Sequence, residues 1–157
     1  MKLRTVLPML AVATFALAAC APKVDYAKFH EKAVAAAKED PGYKKVTIKG
    51  SLKSSAGGMN IDVKFDHVYE KDGHSWKLSK GEEGLIVEAA ALTFVSLRAE
   101  DVPEDKDYEY YAGGSFKVVM KDGDDKATVT FDKYGYVTSE KGKADSGEVD
   151  IKVSWSK

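Results

Sequence analysis

The chain has 157 residues, and its 24 lysines and arginines nearly balance its 25 aspartates and glutamates, giving a formal net charge of −1. This balance argues against a nucleic-acid-binding protein and provides no electrostatic attraction to anionic membrane surfaces. A single cysteine excludes an intramolecular disulfide, so a hydrophobic core must hold the fold. The length is sufficient for one domain with such a core.

The first twenty residues have the layout of a secretory signal. Lys2 and Arg4 form a short positive region, residues 6–18 are almost wholly apolar, and small residues precede Cys20. The apolar run is too short to span a bilayer permanently. The sequence Leu17-Ala18-Ala19-Cys20 matches the lipobox, so this segment resembles the N-terminus of a bacterial lipoprotein precursor. The resemblance implies that the Cys20 thiol carries a diacylglyceryl group and that cleavage falls just before it.

The same resemblance implies a domain organisation and a location. Residues 1–19 would be a signal peptide, residues 20–23 a lipidated cysteine with a short tether, and residues 24–157 a single domain close to the membrane. The protein would be exported and anchored to the outer membrane, facing the periplasm, in a diderm, or to the outer face of the cell membrane in a monoderm. The alternative is an ordinary signal peptide that leaves Cys20 as a free thiol, which would be a reactive liability in an exported protein.

The first predicted element after the tether is a helix, which Asp25 can cap and Pro41-Gly42 ends. Strands follow, because apolar and polar residues alternate over residues 45–52 and 59–69. A turn at Lys71-Asp72-Gly73 then leads into a third strand. Gly50 interrupts the apolar face of the first strand, which predicts a bulge or strong curvature there.

The apolar period changes to that of a helix over residues 85–99, before Pro103. Its apolar stripe is wide, so we expect this second helix to be largely buried. Four or five further strands follow from residue 108 onwards. The last of them, residues 149–155, alternates strictly between apolar and charged or small polar residues.

This order of elements predicts an α+β domain. We expect an antiparallel, curved, half-barrel-like sheet of about seven strands, with one face covered by the two helices. The arrangement resembles the half-barrels of Lol-type lipoprotein carriers and receptors, and the likeness is one of layout alone.

The sequence predicts no catalytic centre, no cofactor and no metal site. GxSxG, HExxH, Walker and GxGxxG motifs are absent, and the carboxylates alternate with lysines as on a solvated sheet surface. His67 and His74 could be cross-strand neighbours, but two histidines are too few for a metal site, so packing histidines are the favoured interpretation. The acidic turn at residues 122–125 lacks the spacing of an EF-hand and is interpreted as a solvated hairpin.

Tyrosines near the start of the last strand-rich third provide the candidate ligand or partner surface: Tyr108, Tyr110 and Tyr111. Because Tyr110 and Tyr111 cannot both face inward on one regular strand, we expect one of them on the outside. The alternative, ordinary core and cross-strand packing, is favoured by the general enrichment of aromatic residues in strands.

Two non-enzymatic functions remain open. The first is a protein-interaction or scaffold module at the cell envelope, anchored to the membrane through Cys20 and bound to an envelope protein. The alternative is a carrier that binds an apolar ligand, such as a lipid or acyl chain, in a half-barrel cavity. An internal cavity would favour the carrier, whereas an interior filled by aromatic side chains would count against it.

Overall fold

The computed structural model describes residues 21–56 and 58–157. The predicted signal peptide and Cys20 lie outside the described residues. The described elements are β1 (Lys23–Val24), α1 (Tyr26–Ala37), β2 (Lys45–Ala56), β3 (Met59–Asp72), β4 (Ser75–Lys80), α2 (Leu85–Ser96), a 3₁₀ turn (Ala99–Asp101), β5 (Tyr108–Ala112), β6 (Phe116–Asp122), β7 (Asp125–Phe131), β8 (Val137–Ala144) and β9 (Gly147–Ser156).

The described strands form one antiparallel sheet in the order β1-β5-β6-β7-β8-β9-β2-β3-β4. This confirms the predicted α+β class and the curved, open sheet covered by two helices. The described residues contribute nine strands rather than about seven, because β5 to β9 are five separate strands and the two-residue β1 adds to the edge. The last strand, β9, lies in the middle of the sheet and pairs with β2, so that it joins the two halves of the chain.

Helix α1 begins at its predicted cap. The Asp25 side chain accepts a hydrogen bond from the Lys28 backbone N–H at 2.8 Å, which satisfies one of the free donors of the first turn. Phe29 and Ala33, four residues apart, are fully buried on the face that meets the sheet. The Phe29 ring lies 5.6 Å from that of Phe116 on β6, edge to face. The helix therefore covers the β5–β6 side of the sheet.

Helix α2 is not largely buried, contrary to expectation. Ala91, Phe94 and Val95 are buried, whereas Leu85 is 88% exposed, Ile86 60% and Leu92 43%. The residues of this helix are apolar on all sides, but an open sheet can cover only the stripe that lies against it. The helix also ends at Ser96 rather than at residue 99, and Arg98 then forms an isolated bridge with Tyr136.

The concave face of the sheet has two different ends. At one end, called here the aromatic end, three partly buried rings pack around the partly buried Trp155: Tyr136, Tyr43 and Trp76, at centroid distances of 4.8, 5.6 and 5.7 Å. Five phenylalanines fill the interior beneath the helices, all of them buried: Phe29, Phe65, Phe94, Phe116 and Phe131. The other end is open, and we call the space there the groove.

Gly50 does not form a bulge, one of the two features predicted at this position, because the pairing of β2 with β3 and β9 continues through it without a shift in register. Its φ is +135°, and a Cβ there would lie 1.9 Å from the carbonyl oxygen of Asp150. No other residue type fits this close approach of two backbones. The glycine is therefore required because the backbone of β9 occupies the space that a side chain would need.

Candidate functional site

The groove has a volume of about 540 Å³, within the range of about 300–1,000 Å³ that is usual for small-molecule sites. It lies where β2 ends, where β5 begins, and at the β6–β7 and β8–β9 hairpins. Leu52, Tyr108, Met120 and Val149 supply its apolar wall. These four side chains are only partly buried, so the groove is continuous with the core but open to solvent.

Small residues on the inner face of β7, β8 and β9 create this space. Ala127, Gly142, Ala144 and Gly147 all line the groove, whereas the corresponding strands carry Phe131, Val137 and Val153 at the aromatic end. A Cβ on Gly142 would lie 2.7 Å from the Cβ of Ala127, so only glycine fits between these two strands. The groove is therefore built into the sequence of three adjacent strands.

The charged residues around the groove are sorted by face. Asp122 and Asp125 pair with each other across the β6–β7 hairpin and share the inner face with Met120 and Ala127, because side chains two residues apart on a strand point the same way. The lysines at the rim lie on the alternate, outer positions of their strands: Lys53, Lys121, Lys126 and Lys143. The inward charge at the groove is therefore negative.

Glu140 is a partly buried carboxylate on the inner face of β8 that does not line the groove, and the residue spacing did not predict its inward direction. It pairs with Val129 on β7 and Ile151 on β9, both buried, and it lies one residue pair deeper than Gly142. It has no hydrogen bond or ion pair with any other described residue. Burial raises the pKa of the Glu140 carboxyl group above its ordinary value, because desolvation disfavours the charged form.

A β-bulge turns Glu140 inward. Opposite Thr130 and Phe131 of β7, the chain of β8 contains one residue more than regular pairing allows, and the hydroxyl of Thr130 contacts those of both Thr138 and Ser139, at 2.9 and 2.5 Å. Val137 and Glu140, three residues apart, therefore both face the core. The salt bridge between Lys141 and Asp150, at 3.9 Å on the outer face, is consistent with this register.

The structure does not bring the three candidate tyrosines onto one surface. Tyr108 lines the groove. Tyr110 is buried, and its hydroxyl donates to the Pro103 carbonyl and accepts from the Asp105 N–H, both at 2.8 Å. Tyr111 lies on the outer face, as the alternation of a regular strand requires for one of the pair.

Tyr111 belongs to an ionic cluster on the outer face of the sheet. Its hydroxyl donates to Glu109 at 3.0 Å, and Glu109 also contacts Lys121 at 2.7 Å and Lys23 at 3.3 Å. Hydrogen bonds from Lys121, Tyr111 and Lys23 lower the pKa of Glu109 to about 2. These contacts join β1 and β6 to β5, and each of the four side chains has a partner within the cluster. We therefore assign the cluster a structural role.

Two polar side chains at the aromatic end, Tyr43 and Arg98, have partners within the fold. The Tyr43 hydroxyl donates to Asp132 at 2.6 Å, and burial together with this hydrogen bond raises the pKa of Tyr43. The Arg98 guanidinium lies 3.7 Å from the centroid of the Tyr136 ring and donates to the Tyr134 carbonyl at 2.8 Å. The Tyr69 hydroxyl, on β3 opposite Val46, is the exception, because it is buried without a hydrogen-bond partner among the described residues.

His67 and His74 are not cross-strand neighbours. His67 is buried on β3 opposite Ile48, with its Nε2 3.0 Å from the Glu82 carbonyl oxygen, whereas His74 lies in the β3–β4 turn. Across the described residues, no three His, Cys, Asp or Glu side chains are grouped so as to hold a metal ion. His67 instead packs in the core, which is the role that the sequence pattern favoured for it.

The second candidate surface is the exposed side of α2, called here the apolar stripe: Leu85, Ile86, Ala89 and Leu92. Their spacing of three and four residues places them on one side of the helix. The helix contains no lysine or arginine, and Glu82 and Glu83 precede it. The stripe is therefore apolar, with acidic residues at its beginning.

Comparison with known proteins gives no match: no family model, no curated protein and no solved structure is similar to this chain. Within the described residues, neither helix has the length and apolarity needed to cross a membrane. The groove and the apolar stripe are thus the two candidate sites, and both are identified from the residues of this chain.

Proposed function

We propose that this protein is a membrane-anchored, extracytoplasmic lipoprotein of non-enzymatic type that acts as a protein-interaction or scaffold module at the cell envelope. The observation that carries the proposal is the exposure of Leu85, Ile86 and Leu92 on a helix whose opposite side is fixed in the core. Contiguous exposed apolar side chains on a soluble domain are typical of a docking surface. The lipobox at Cys20 supports the anchor.

A protein partner fits the apolar stripe better than a lipid surface does. Helices that lie in a membrane interface usually carry lysine and arginine on their polar side, which attract anionic headgroups. Helix α2 has neither, and its only charged residue is Glu88. Glu82 and Glu83 add further negative charge next to the stripe. We therefore expect a partner with an apolar surface and no strong negative potential.

Site-specific photo-cross-linking in cells tests this proposal. A cross-linking amino acid at Leu92 should give a discrete product with one protein, because Leu92 lies within the stripe. The same amino acid at Lys152, exposed on the outer face of β9, serves as the control and should give none. Replacing the exposed Ile86 with Asp should suppress the Leu92 product. Equal products from both positions, or a product with lipid alone, would contradict docking of a protein through α2.

A second candidate function is supported by the groove. The interior beneath the helices is filled by phenylalanines, which counts against an enclosed lipid cavity. The groove at the open end nevertheless has the size and the partly apolar wall of a small-molecule site. Binding of an amphipathic ligand there is compatible with docking through α2, because the two surfaces share no residue.

A further inference from the structure

We infer that the protein forms a dimer in which strand β3 of one copy pairs, edge to edge, with strand β3 of a second copy. The inference goes beyond docking through α2 and does not rest on it. Two features carry it: an unpaired segment of β3, called here the free edge, and the self-complementary order of charges along that segment.

The free edge is residues 60–66 of β3. Strand β3 pairs with β2 along its whole length, whereas β4, on its other side, pairs only with residues 68–72. Among the described residues, no other strand lies beside residues 60–66. An unpaired strand edge presents N–H and C=O groups that can pair with a further strand. The free edge is therefore a template for strand addition.

The backbone groups of Asn60, Asp62 and Lys64 point toward this open side. The Lys71 N–H donates to the Lys44 carbonyl at 2.8 Å, so residue 71 of β3 faces β2. The direction of the backbone groups alternates along a strand, and the even-numbered residues of β3 therefore face away from β2. In the part of the chain that the structure describes, these outward groups of the three residues form no hydrogen bond.

The free edge has a defined length. At one end, the Asp66 N–H is already bonded to Nδ1 of His67 at 3.2 Å, and Lys80 of β4 lies opposite Val68. At the other end, β3 begins at Met59. A second copy of residues 60–66, running antiparallel and centred on residue 63, covers the free edge from end to end.

The charges along the free edge specify the same register. Asp62 and Lys64 are exposed on the outer face of β3. With Val63 opposite its own copy, each Asp62 lies opposite Lys64 of the other copy. A shift of two residues would instead place Asp62 opposite Asp62, or Lys64 opposite Lys64. Opposite charges directly across a strand pair stabilise it and like charges destabilise it, so a single register is favoured.

The other two edges among the described strands offer no such match. Strand β1 contains only two residues, Lys23–Val24. The charged residues of β4 are both lysines, Lys77 and Lys80, so two copies of β4 would bring only like charges together. The second copy is therefore expected at β3.

The symmetry of this dimer is compatible with the anchor proposed at Cys20. Two antiparallel copies of one strand, with the same face outward, are related by a two-fold axis perpendicular to the sheet, here at Val63. Such an axis keeps both copies of any residue at the same height along it. Two Cys20 anchors can therefore enter one membrane.

Disulfide formation in cells that produce the full-length chain tests the pairing. In Val63→Cys the two thiols lie opposite each other, at a Cα separation of about 4.5 Å that a disulfide can bridge. Oxidation should give a dimer on a non-reducing gel. Ile61→Cys, on the same face, is the matched control and should give none, because its two copies would lie about 13 Å apart along the strands. The wild type, which retains Cys20, gives the background.

Charge variants test the register without an added cysteine. Asp62→Lys should weaken dimer association about tenfold or more, because symmetry turns both ion pairs into Lys–Lys contacts. Adding Lys64→Asp should restore association by exchanging the charges. Glu70→Lys is the matched control, since Glu70 lies opposite Lys45 of β2 as Asp62 lies opposite Lys53, but outside the free edge. Sedimentation equilibrium of the full-length protein in density-matched detergent would measure the association constants.

Each contrary result overturns the inference in a recognisable way. Equal disulfide yields at positions 61 and 63 would exclude the register, and a wild type that sediments only as a monomer would exclude the dimer. Equal association of the wild type and Asp62→Lys would show that the free edge is not the contact. A Val63→Cys product with a different protein would assign the free edge to a strand of that protein. The cross-linking test of α2 uses a different surface and is decided separately.

Discussion

At the scale of single residues, Glu140 has the clearest energetic consequence, because its carboxyl group is desolvated and has no partner among the described residues. A carboxyl group whose pKa is raised by burial retains its proton more strongly in the folded state than in the unfolded chain. The folded state therefore loses stability as the pH rises from the unfolded pKa, about 4.3, through the raised folded pKa. Above that value the loss is complete.

Replacement of Glu140 by Gln should therefore stabilise the protein at neutral pH and have less effect at pH 4, where the wild-type carboxyl is protonated. Melting temperatures of both proteins between pH 4 and pH 8 would measure this difference. Glu70→Gln, on the exposed outer face, is the matched control, and its difference from the wild type should not follow the same course. Parallel curves for the wild type and Glu140→Gln would show that Glu140 is solvated in the folded state.

At the scale of elements, α2 is a helix that is held on one side only. Phe94 contacts Phe65 edge to face, with the ring centroids 5.9 Å apart, and anchors the helix to β3. Leu92, two positions earlier, points away from the sheet. Neighbouring residues on this helix thus have opposite environments, and their contributions to stability should differ accordingly.

Phe94→Ala should reduce the free energy of unfolding by about 3–5 kcal/mol, since it removes a buried ring and leaves a cavity. Leu92→Gln should change it by less than about 0.5 kcal/mol, because the residue is exposed and glutamine favours helices. Urea unfolding of the two variants and the wild type would measure both values. A large loss of stability in Leu92→Gln would mean that the stripe is covered within the molecule.

The sequence was informative where one face of an element is buried and the pattern is regular. Strands β3 and β9 alternate without interruption, and α1 has a cap and a one-sided apolar pattern, so all three follow from residue spacing. Helix α2 is apolar all round, and such a pattern cannot show which side a neighbour will cover. The spacing also does not reveal a bulge, which explains why the inward direction of Glu140 was not predicted.

The groove illustrates a second limit of prediction. Ala127, Gly142 and Ala144 are unremarkable in their own strands, and only the order of the strands places them side by side. The pairing of β9 with β2 joins residues about a hundred positions apart in the sequence, so it likewise depends on the tertiary structure and cannot be predicted from local spacing. Tyr108 was identified as a candidate from the local density of tyrosines, but its neighbours in the groove were not.

At the scale of the whole molecule, the first described residues bear on how the domain would sit on a membrane. Pro22 and Lys23 already take part in the sheet, so that little free chain remains between Cys20 and the domain. An anchor at Cys20 would therefore hold the β1–β5 edge of the sheet close to the bilayer.

Cys20→Ala should move the protein from the membrane fraction to the soluble fraction, because the thiol that would carry the diacylglyceryl group is missing. Fractionation of cells followed by immunodetection would measure the distribution, and Ser51→Ala, a substitution on β2 outside the signal, serves as the control. Retention of the Cys20→Ala protein in the membrane pellet would contradict the anchor.

The central position of β9 also has a consequence for the timing of folding. Strand β9 joins β8 to β2, so the two halves of the sheet cannot unite until residues 147–156 are available. A chain that crosses a membrane from its N-terminus onwards would thus remain without its complete core until crossing is finished. In an exported protein, this late completion of the sheet would keep the chain unfolded while it passes through the membrane.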